Sequence, residues 1–363
     1  LSPWPADGFG VERMRALLAE LGDPQERYPA VHVVGTNGKS TTTRLTETLL
    51  ADAGLRTGAY LSPHVRGWSE RIRVGGEEAD FERAVAAVRA AAERLGATQF
   101  EALTAAALRA FAEAEVDVAV VEAGLGGRHD ATNVLRTRVV VLTSVALDHM
   151  EVLGDTREAI AAEKLAVVQP GCTVVLGEAE WRELALANGA GNVFTTARSN
   201  LALATAAAEA FLGRFVDPHA ADGVALPGRL EMRREQPLEI WDGAHNLAGV
   251  GWLLPRLREE DWTLVVSILG DKRPELMLEA LSVLGDTIVA TQSSNPRSLP
   301  ADALAELARP HFSRVHVEPD PETALAWARE LAEPVLVTGS LYLLGDLDGP
   351  DLDDTAASPS QRG

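Results

Sequence analysis

Short apolar runs alternate with amphipathic stretches through the first half of the chain. Runs rich in β-branched residues predict buried strands at 31–34, 57–61, 71–74, 116–123, 138–145 and 173–176. Apolar residues at helical spacing predict helices at 8–22, 40–53, 80–95, 101–115, 156–168 and 200–212, with Asp80 and Thr156 as caps. Strands that alternate with helices indicate a mostly parallel sheet with helices on its faces.

The same alternation resumes after a weakly patterned stretch at 213–224. Strands are predicted at 238–241, 262–268, 286–291, 314–317 and 335–338, and helices begin near Asn246, Pro274, Pro300 and Pro321. The pattern therefore predicts two α/β domains, which we draw at 1–222 and 223–348. Residues 349–363 are rich in Asp, Pro, Ser and Gly, and we expect a disordered tail there.

The composition of the chain limits the kinds of molecule that it can bind. The chain has 363 residues, more than one core usually spans, and a net charge of −20, which would repel nucleic acid or an anionic membrane. Its one cysteine, Cys172, excludes an internal disulfide and fits a reducing compartment. No apolar run reaches membrane-spanning length. We expect a cytoplasmic monomer that acts on small molecules.

The first strand leads into a glycine turn and then a helix, in the stretch GTNGKST at 35–41. Backbone N–H groups and the positive end of a helix dipole would converge there on an anion. Lys39 adds a cation, and Ser40 or Thr41 a hydroxyl for Mg²⁺. The generic phosphate-loop pattern fails because Val33 replaces its first glycine, so an ordinary turn with a surface lysine is the alternative. We interpret the stretch as a nucleoside triphosphate site.

Three polar residues follow other strands of the predicted sheet: Ser62, Glu122 and His149. Ligands of open parallel sheets bind at the carboxyl ends of the strands, so one crevice would hold all three. Hydroxyl and carboxylate oxygens suit Mg²⁺, whereas histidine is a less usual ligand. Taken singly, Glu122 is equally well explained as a cap, and His149 as a loop residue held by Asp148. Their convergence favours a metal site.

Lys164 lies on an apolar helical stripe with Ile160, Val167 and Val168. A buried lysine is costly unless it is paired or modified. One alternative is a side chain that extends past the helix end to reach water. The other is an amine held partly neutral, which takes up CO₂ to become a carbamate and ligates a second Mg²⁺.

Several longer stretches match one known family. They include VHVVGTNGKST, AYLSPHVRGWSERIRV, VVEAGLGGRHDATN, TSVALDHMEVLGDTREAIAAEKLAV, LPGRLE, WDGAHN and GSLYLLG. With these, the chain resembles the folylpolyglutamate synthases and dihydrofolate synthases, the folate branch of the Mur ligase superfamily, over most of residues 8–348. The resemblance implies a parallel-sheet P-loop ATPase domain followed by a smaller Rossmann-like α/β domain.

The resemblance also implies an activity and a site. The activity is ATP-dependent addition of L-glutamate to dihydropteroate, to tetrahydrofolate or to both, through an acyl phosphate in the cleft between domains. ATP would be bound by Gly38, Lys39, Ser40, Thr41, Asn200, Arg229 and Asp242, with His245 near the γ-phosphate. One or two Mg²⁺ would be held by Ser62, Glu122, His149 and Lys164 as its carbamate. The pterin pocket would be bordered by Thr98, Gln99, Phe100, Glu101, His129, Asp130 and Ala131.

The chain departs from the family pattern at several positions. Ser40 replaces the usual glycine after the loop lysine, His129 replaces a leucine at the pterin edge, and Leu247 replaces a proline after DGAHN. Only the twenty-two residues 178–199 lie between the strand ending at Leu176-Gly177 and Asn200, where the family usually has a longer segment with extra strands. These departures bear on substrate choice more than on reaction class.

Two other functions fit parts of the pattern. A cell-wall ligase of the same superfamily would need a nucleotide-recognition domain before the ATP loop, and the roughly thirty residues before Val31 are too few for one. A non-catalytic ATP-binding regulator would be supported by loss of Lys39, Glu122 or Lys164, and all three are present. We therefore expect a ligase.

Overall fold

The computed structural model of the chain describes residues 10–331 and 333–348. The chain divides into two compact units. Residues 10–64 and Trp68–Val224 form the first unit, while Val65–Gly67 and the described residues from Ala225 onward form the second. The boundary drawn from the sequence at 222/223 lies two residues earlier, and the predicted tail at 349–363 lies outside the described residues.

The first unit is built on an eight-stranded sheet in the order β4-β3-β2-β5-β1-β6-β7-β8. Its strands are β1 (Ala30–Val34), β2 (Thr57–Tyr60), β3 (Ile72–Val74), β4 (Glu77–Glu78), β5 (Val118–Glu122), β6 (Thr137–Leu142), β7 (Thr173–Leu176) and β8 (Asn192–Thr195). The β2, β3 and β4 strands pair antiparallel, and all other pairs are parallel. The central strands are buried along their whole length, as their apolar runs predict.

Helices cover both faces of this sheet. They are α1 (Glu12–Glu20), α2 (Lys39–Asp52), α3 (Phe81–Arg94), α4 (Gln99–Glu113), α5 (Met150–Leu153), α6 (Arg157–Leu165), α7 (Arg182–Ala187) and α8 (Asn200–Leu212). The α2 and α8 helices pack on the face that carries Val31 and Val33. The α1, α3 and α4 helices pack with Ala30 and Tyr60, while α6 packs with Val34. Every central strand is thus covered twice, and its carboxyl end is left for ligands.

The second unit has a six-stranded sheet in the order β13-β12-β11-β14-β10-β9. Its strands are β9 (Glu231–Glu235), β10 (Leu238–Trp241), β11 (Thr263–Val266), β12 (Thr287–Ala290), β13 (Arg314–Val317) and β14 (Val335–Thr338). Its helices are α9 (Leu247–Leu253), α10 (Pro274–Leu281), α11 (Ala301–Ala308), α12 (Pro321–Glu330) and α13 (Leu341–Asp348). Only β9 runs antiparallel to its neighbour. The α/β fold class predicted from the sequence is confirmed.

The structure adds elements that the sequence pattern did not predict. They are β4, α5, α7, β8, β9 and α13. The short segment 178–199 is ordered into α7 and the edge strand β8. In the described part of the chain, no helix has both the length and the apolar character needed to cross a membrane.

Candidate nucleotide and substrate site

The loop between β1 and α2 has the backbone geometry of an anion site. Gly35 and Gly38 both have positive φ angles, 151° and 82°, and α2 begins at Lys39. A Cβ atom would lie 1.9 Å from Thr143 Oγ1 at Gly35 and 2.5 Å from Asn200 Oδ1 at Gly38. Both positions therefore require glycine, and the amide of Asn200 lies against the loop at Gly38, while its contact with a nucleotide stays a prediction. The first N–H groups of the 14-residue α2 have no partner within the helix and can bind phosphate.

The segment after β6 holds this loop in place. The N–H of Thr36 donates to Ser144 O at 2.8 Å, and the N–H of Asn37 donates to Ser144 Oγ at 3.1 Å. The hydroxyl of Thr143 donates to Asn37 O at 2.7 Å. Thr143 and Ser144 were missed in the sequence, although they lie in the conspicuous stretch TSVALD. They act on the loop backbone, which preorganises the anion site.

Glu122 contacts three other residues that were predicted at the site. Its buried carboxylate accepts a hydrogen bond from Ser40 Oγ at 3.1 Å and from the backbone N–H of Ser62 at 3.0 Å. Lys39 Nζ lies 4.0 Å from Glu122 Oε1 and donates to Thr36 O at 3.4 Å. The carboxyl ends of β1, β2 and β5 thus bring Lys39, Ser40, Ser62 and Glu122 together.

His149 lies at the start of the short helix α5, with a φ of 50°. Its backbone N–H donates to Asp148 Oδ1 at 2.9 Å, and its ring Nε2 lies 3.9 Å from the same oxygen. Among residues 10–331 and 333–348, no three His, Cys, Asp or Glu side chains group as a metal site. The predicted ligand set contains two such residues, Glu122 and His149, and is completed by Ser62 and Lys164.

Lys164 is buried and points at the phosphate loop. Its side chain is 4% exposed, and Nζ donates to Gly35 O at 2.9 Å. Burial, and secondly the charge of Lys39, lower the pKa of Lys164 to about 7. The alternative in which this side chain extends to water is wrong. The lowered pKa favours the uncharged amine, which is the form that reacts with CO₂.

Phe100 packs against the glycine loop that follows β5. A Cβ atom at Gly124 would lie 2.5 Å from the Phe100 ring, so only glycine permits this contact. The Phe100 ring is partly buried, and its centre lies 6.0 Å from that of Tyr60. Tyr60 was not predicted at the site, because in sequence a tyrosine in a buried strand cannot be distinguished from an ordinary core residue.

Asp130 is the buried carboxylate on the same loop. It accepts hydrogen bonds from the N–H of Leu125 at 2.8 Å, the N–H of Thr132 at 2.9 Å and the hydroxyl of Thr132 at 2.5 Å. Burial raises the pKa of Asp130 despite these donors. Its neighbour His129 is exposed and Ala131 is buried. At the predicted border of the pterin pocket, the buried carboxylate of Asp130 can thus accept hydrogen bonds, and the exposed imidazole of His129 lies next to it in the chain.

Two other residues predicted at this pocket form the start of α4. Thr98 and Glu101 form a capping box, in which each side chain accepts from the backbone N–H of the other. Arg13 Nε also donates to Glu101 at 2.8 Å. Both capping residues are buried, while Gln99 is exposed. The contacts of Thr98 and Glu101 give them a structural role, and their substrate contacts stay a prediction.

The second unit carries Arg229, Asp242 and His245 on neighbouring turns. The buried Asp242 accepts from the N–H groups of Leu230 and Ala244, both at 2.9 Å, and burial raises its pKa. Arg229 donates to Gly228 O at 3.0 Å, and His245 Nδ1 lies 2.8 Å from Gly243 O. Asp242 therefore fixes the two turns that carry Arg229 and His245, whose contacts with ATP stay predictions.

Comparisons with known proteins cover both units. The Mur ligase middle domain matches residues 33–211, and the Mur ligase, glutamate ligase domain matches residues 228–341. A dihydrofolate synthase/folylpolyglutamate synthase of Mycobacterium tuberculosis is 33% identical and aligns over 99% of this chain and 86% of its own length.

Solved structures agree with these matches. Folylpolyglutamate synthase of Mycobacterium tuberculosis complexed with ADP has a TM-score of 0.87 and 31% identity, over 94% of this chain and 95% of that one. The bifunctional folylpolyglutamate synthase/dihydrofolate synthase of Yersinia pestis complexed with AMPPNP and Mn ion has a TM-score of 0.84 and 32% identity, over 94% and 93%. The similarity therefore extends over nearly the whole chain in sequence and in fold.

Proposed function

The chain belongs to the Mur ligase family, in its dihydrofolate synthase and folylpolyglutamate synthase branch, and we propose that it forms its product through an acyl phosphate. It is an ATP-dependent ligase that adds glutamate in folate metabolism. The observation that carries the mechanism is the contact of Lys39, Ser40 and Glu122 at the glycine loop. A carboxylate within reach of this loop can be phosphorylated by ATP.

In the first step the carboxylate of a pteroate or folate attacks the γ-phosphorus of ATP. An acyl phosphate forms and ADP leaves. The N-terminal N–H groups of α2 and the ammonium of Lys39 neutralise charge on the phosphates, and their position before the reaction begins is what makes them effective. Ser40 and Thr41, on the first turn of α2, complete the set of phosphate-facing residues.

The residues that would hold Mg²⁺ are Ser62, Glu122, His149 and Lys164 as its carbamate. Hydroxyl and carboxylate oxygens fit this ion, and Glu122 is a buried carboxylate in contact with Ser40 at the phosphate loop. The manganese ion bound with AMPPNP by the Yersinia pestis relative supports a divalent metal. Such a metal would spread the charge of the transferring phosphoryl group.

Lys164 would become a ligand by carbamylation. Its neutral amine attacks the carbon of CO₂, an N–C bond forms, and the amine loses a proton to give an anion. The burial of Nζ and its lowered pKa both favour this reaction over a permanent ammonium.

In the second step the amine of glutamate attacks the carbonyl carbon of the acyl phosphate. A tetrahedral oxyanion forms and expels phosphate, and the amine gives up a proton as the amide forms. No side chain has to become a covalent nucleophile. Positioning and charge stabilisation supply the rate.

We propose that the pterin ring of the substrate lies between Phe100 and the loop that carries Asp130. An aromatic face suits a flat heterocycle, and the buried carboxylate can accept from its N–H groups. The contact of Phe100 with Gly124, together with that of Leu125 with Asp130, supports a shared pocket.

The test offers purified protein dihydropteroate or tetrahydrofolate with glutamate and MgATP, and follows ADP and the amide product. We expect turnover only when all the components are present, and none after removal of Mg²⁺ by a chelator. Turnover with a uridine-sugar peptide but with no pteroate would instead indicate a cell-wall ligase. ATP binding without turnover on any substrate would indicate a regulator.

Lys39→Ala tests the phosphate site, and Arg56→Ala is its matched control. Because a positioned charge is lost, turnover should fall by about 10²–10³-fold while the protein remains folded. Arg56→Ala, which removes an exposed positive charge beyond the far end of α2, should change turnover less than about twofold. A few-fold effect of Lys39→Ala would place this lysine outside the site.

A further inference from the structure

His32 is a polar residue in the middle of the central strand β1. Its neighbours across the strand pairs are Val121 and Val140, and its side chain has no exposed surface. A polar side chain at such a position is costly unless it is hydrogen-bonded. Valine would serve the sheet better, so the histidine must gain something from its contacts.

The one side-chain hydrogen bond of His32 in the described residues leads away from the sheet core and towards the pterin pocket. His32 Nε2 lies 2.8 Å from Thr132 Oγ1, and the Thr132 hydroxyl donates to Asp130 Oδ1 at 2.5 Å. Because the Thr132 proton points to Asp130, its oxygen must accept from His32. The imidazole therefore carries its proton on Nε2, and burial lowers the pKa of His32 to about 3, which keeps it neutral.

These bonds leave Asp130 with little freedom. A carboxylate offers about four acceptor positions. Three are taken by the N–H of Thr132, the hydroxyl of Thr132 and the N–H of Leu125. The remaining position lies on the oxygen bound to Leu125, whose loop packs on Phe100 through Gly124.

We propose that His32 is a positioning residue of the pterin site, which acts through Thr132 to hold the Asp130 carboxylate in the orientation that receives the substrate. The inference rests on the proposed pterin pocket and adds to it a residue in the strand that leads to the phosphate loop. His32 fixes the Thr132 hydroxyl, that hydroxyl fixes Asp130 Oδ1, and Oδ2 is left to accept from one N–H group of the ring.

The variants separate positioning from stability. His32→Leu removes the donor, while His32→Gln places an N–H group near the position of Nε2. Thr132→Val removes the hydroxyl that connects His32 with Asp130, and Thr132→Ser retains it. Tyr28→Phe is the matched control, because it removes a buried hydrogen bond, from Tyr28 Oη to Leu108 O at 2.7 Å, in the apolar cluster that contains Ala30 and Val121, two neighbours of His32 in the sheet.

The readouts are KM for the pteroate substrate, KM for ATP, kcat and melting temperature. We expect His32→Leu and Thr132→Val each to raise the pteroate KM by about tenfold, with the ATP KM and kcat changed less than about threefold. His32→Gln and Thr132→Ser should stay within about threefold of wild type. The double variant His32→Leu/Thr132→Val should be no worse than Thr132→Val alone, because His32 acts through Thr132.

The results that would overturn the proposal differ from those that would overturn the function. If wild type ligates glutamate and Asp130→Asn raises the pteroate KM, but His32→Leu behaves like Tyr28→Phe, His32 is only structural. If His32→Leu does not fold, Thr132→Val decides alone, and an unchanged pteroate KM refutes the proposal. If wild type turns over no pteroate or folate, the proposed function fails first, and the role of His32 fails with it.

Discussion

His32, Lys164 and Asp130 are buried ionisable side chains of the first unit, and burial shifts the pKa of each towards its neutral form. The pKa of His32 is lowered to about 3, that of Lys164 is lowered to about 7, and that of Asp130 is raised. Each has at least one hydrogen-bond partner, although Nδ1 of His32 is buried without one among the described residues. These groups lie within one unit, around the predicted substrate and phosphate loops.

The shift at His32 makes stability depend on pH. In the unfolded chain His32 takes up a proton below about pH 6.5, but in the folded protein it stays neutral down to about pH 3. Stability from this residue is thus present above pH 6.5 and is lost as the pH falls towards 3. Between pH 6 and 4, wild type should lose up to about 1.4 kcal/mol per pH unit more than His32→Gln.

Urea unfolding at several pH values measures this difference. Tyr28→Phe serves as the control, because it removes a buried hydrogen bond from the apolar cluster that contains Ala30 and Val121 and leaves His32 in place. It should follow the slope of wild type. Equal slopes in wild type and His32→Gln would mean that His32 is protonated in the folded protein.

Lys164 is a buried lysine in a chain whose basic residues are mostly arginine. Three of the 33 lysine and arginine residues in this chain are lysines, so an amine at this buried position is an exception to the prevailing use of arginine. A guanidinium cannot form a carbamate, and it stays charged at all working pH values. Activity should therefore fall when CO₂ and bicarbonate are stripped from the buffer, and return when they are added.

Lys164→Ala and Lys164→Arg should both be nearly inactive, and acetate should partly restore Lys164→Ala alone, because it supplies the missing carboxylate. Carbon NMR with labelled bicarbonate should show a carbamate signal in wild type that both variants lack. Full activity in CO₂-free buffer, or an active Lys164→Arg, would exclude carbamylation as a requirement.

Residue types at strand ends were predictable, whereas the partners of those residues were not. Lys39, Ser62 and Glu122 follow strands that the apolar pattern identifies, and parallel strands bring their carboxyl ends to one edge. The bond of His32 to Thr132 joins residues 100 positions apart. It depends on the path of the loop between β5 and β6, which no local pattern encodes.

At the scale of elements, buried strands and capped helices were predicted well. The bounds of β7 and α8 coincide with the predicted 173–176 and 200–212, because apolar runs and a clear cap define them. β9 was missed because its residues are mostly exposed and charged, and it is a strand only through pairing with β10. β8 was missed because four residues with one buried position give no periodicity.

The short segment 178–199 is held by a buried carboxylate at its first residue. Glu178 Oε2 accepts from Arg157 Nη2 at 2.9 Å and from Trp181 Nε1 at 2.8 Å, while Arg198 Nη2 lies 2.8 Å from Oε1. Arg198 is the penultimate residue of the segment, so Glu178 connects its two ends. The next helix, α8, begins with Asn200 beside the phosphate loop.

Glu178→Gln should therefore destabilise the protein by about 1.5–3 kcal/mol, because it removes the charge that accepts from Arg157 and Trp181. It should also weaken ATP binding, since the start of α8 would be less well fixed. Glu180→Gln is the matched control, because Glu180 contacts the same Arg157 at 2.7 Å but its side chain is 50% exposed. Its effect should stay within about 0.5 kcal/mol.

Calorimetric melting and nucleotide titration measure the two effects. A melting temperature equally lowered in both variants would show that Glu178 is no more important than a surface pair. A lowered melting temperature with unchanged ATP affinity would show that the segment stabilises the unit but does not position Asn200.

At the scale of the whole molecule, the alternation of strands and helices was sufficient to predict two α/β domains, but it did not specify strand order. The first sheet runs β2-β5-β1-β6, so chain neighbours β1 and β2 are separated by β5. Such an order results from crossover connections and from which helix packs on which face. The net charge of −20 bears on which ligands the protein can bind and not on its fold. Because ATP is also an anion, a metal cation is needed to offset the repulsion between them.

Dihydropteroate and tetrahydrofolate are both candidate substrates of this one chain. The Mycobacterium tuberculosis relative is named for both dihydrofolate synthase and folylpolyglutamate synthase activity. Dihydropteroate and tetrahydrofolate share the aminopyrimidinone half of the pterin and the aminobenzoyl group, and they differ in the reduction level of the second ring and in the glutamate that tetrahydrofolate carries. Phe100 and Asp130 are proposed to bind the shared part of the pterin. Each compound should therefore inhibit the reaction of the other competitively, with an inhibition constant equal to its own KM.

Phe100→Ala should raise both KM values in parallel, by about tenfold, with the ATP KM unchanged. If only one compound is turned over, the other should still inhibit competitively, because it occupies the ring site, and its inhibition constant should rise by about the same factor in Phe100→Ala. Initial rates over a grid of both compounds measure it. A noncompetitive pattern, or a Phe100→Ala effect on one compound alone, would mean that the two are bound by different residues.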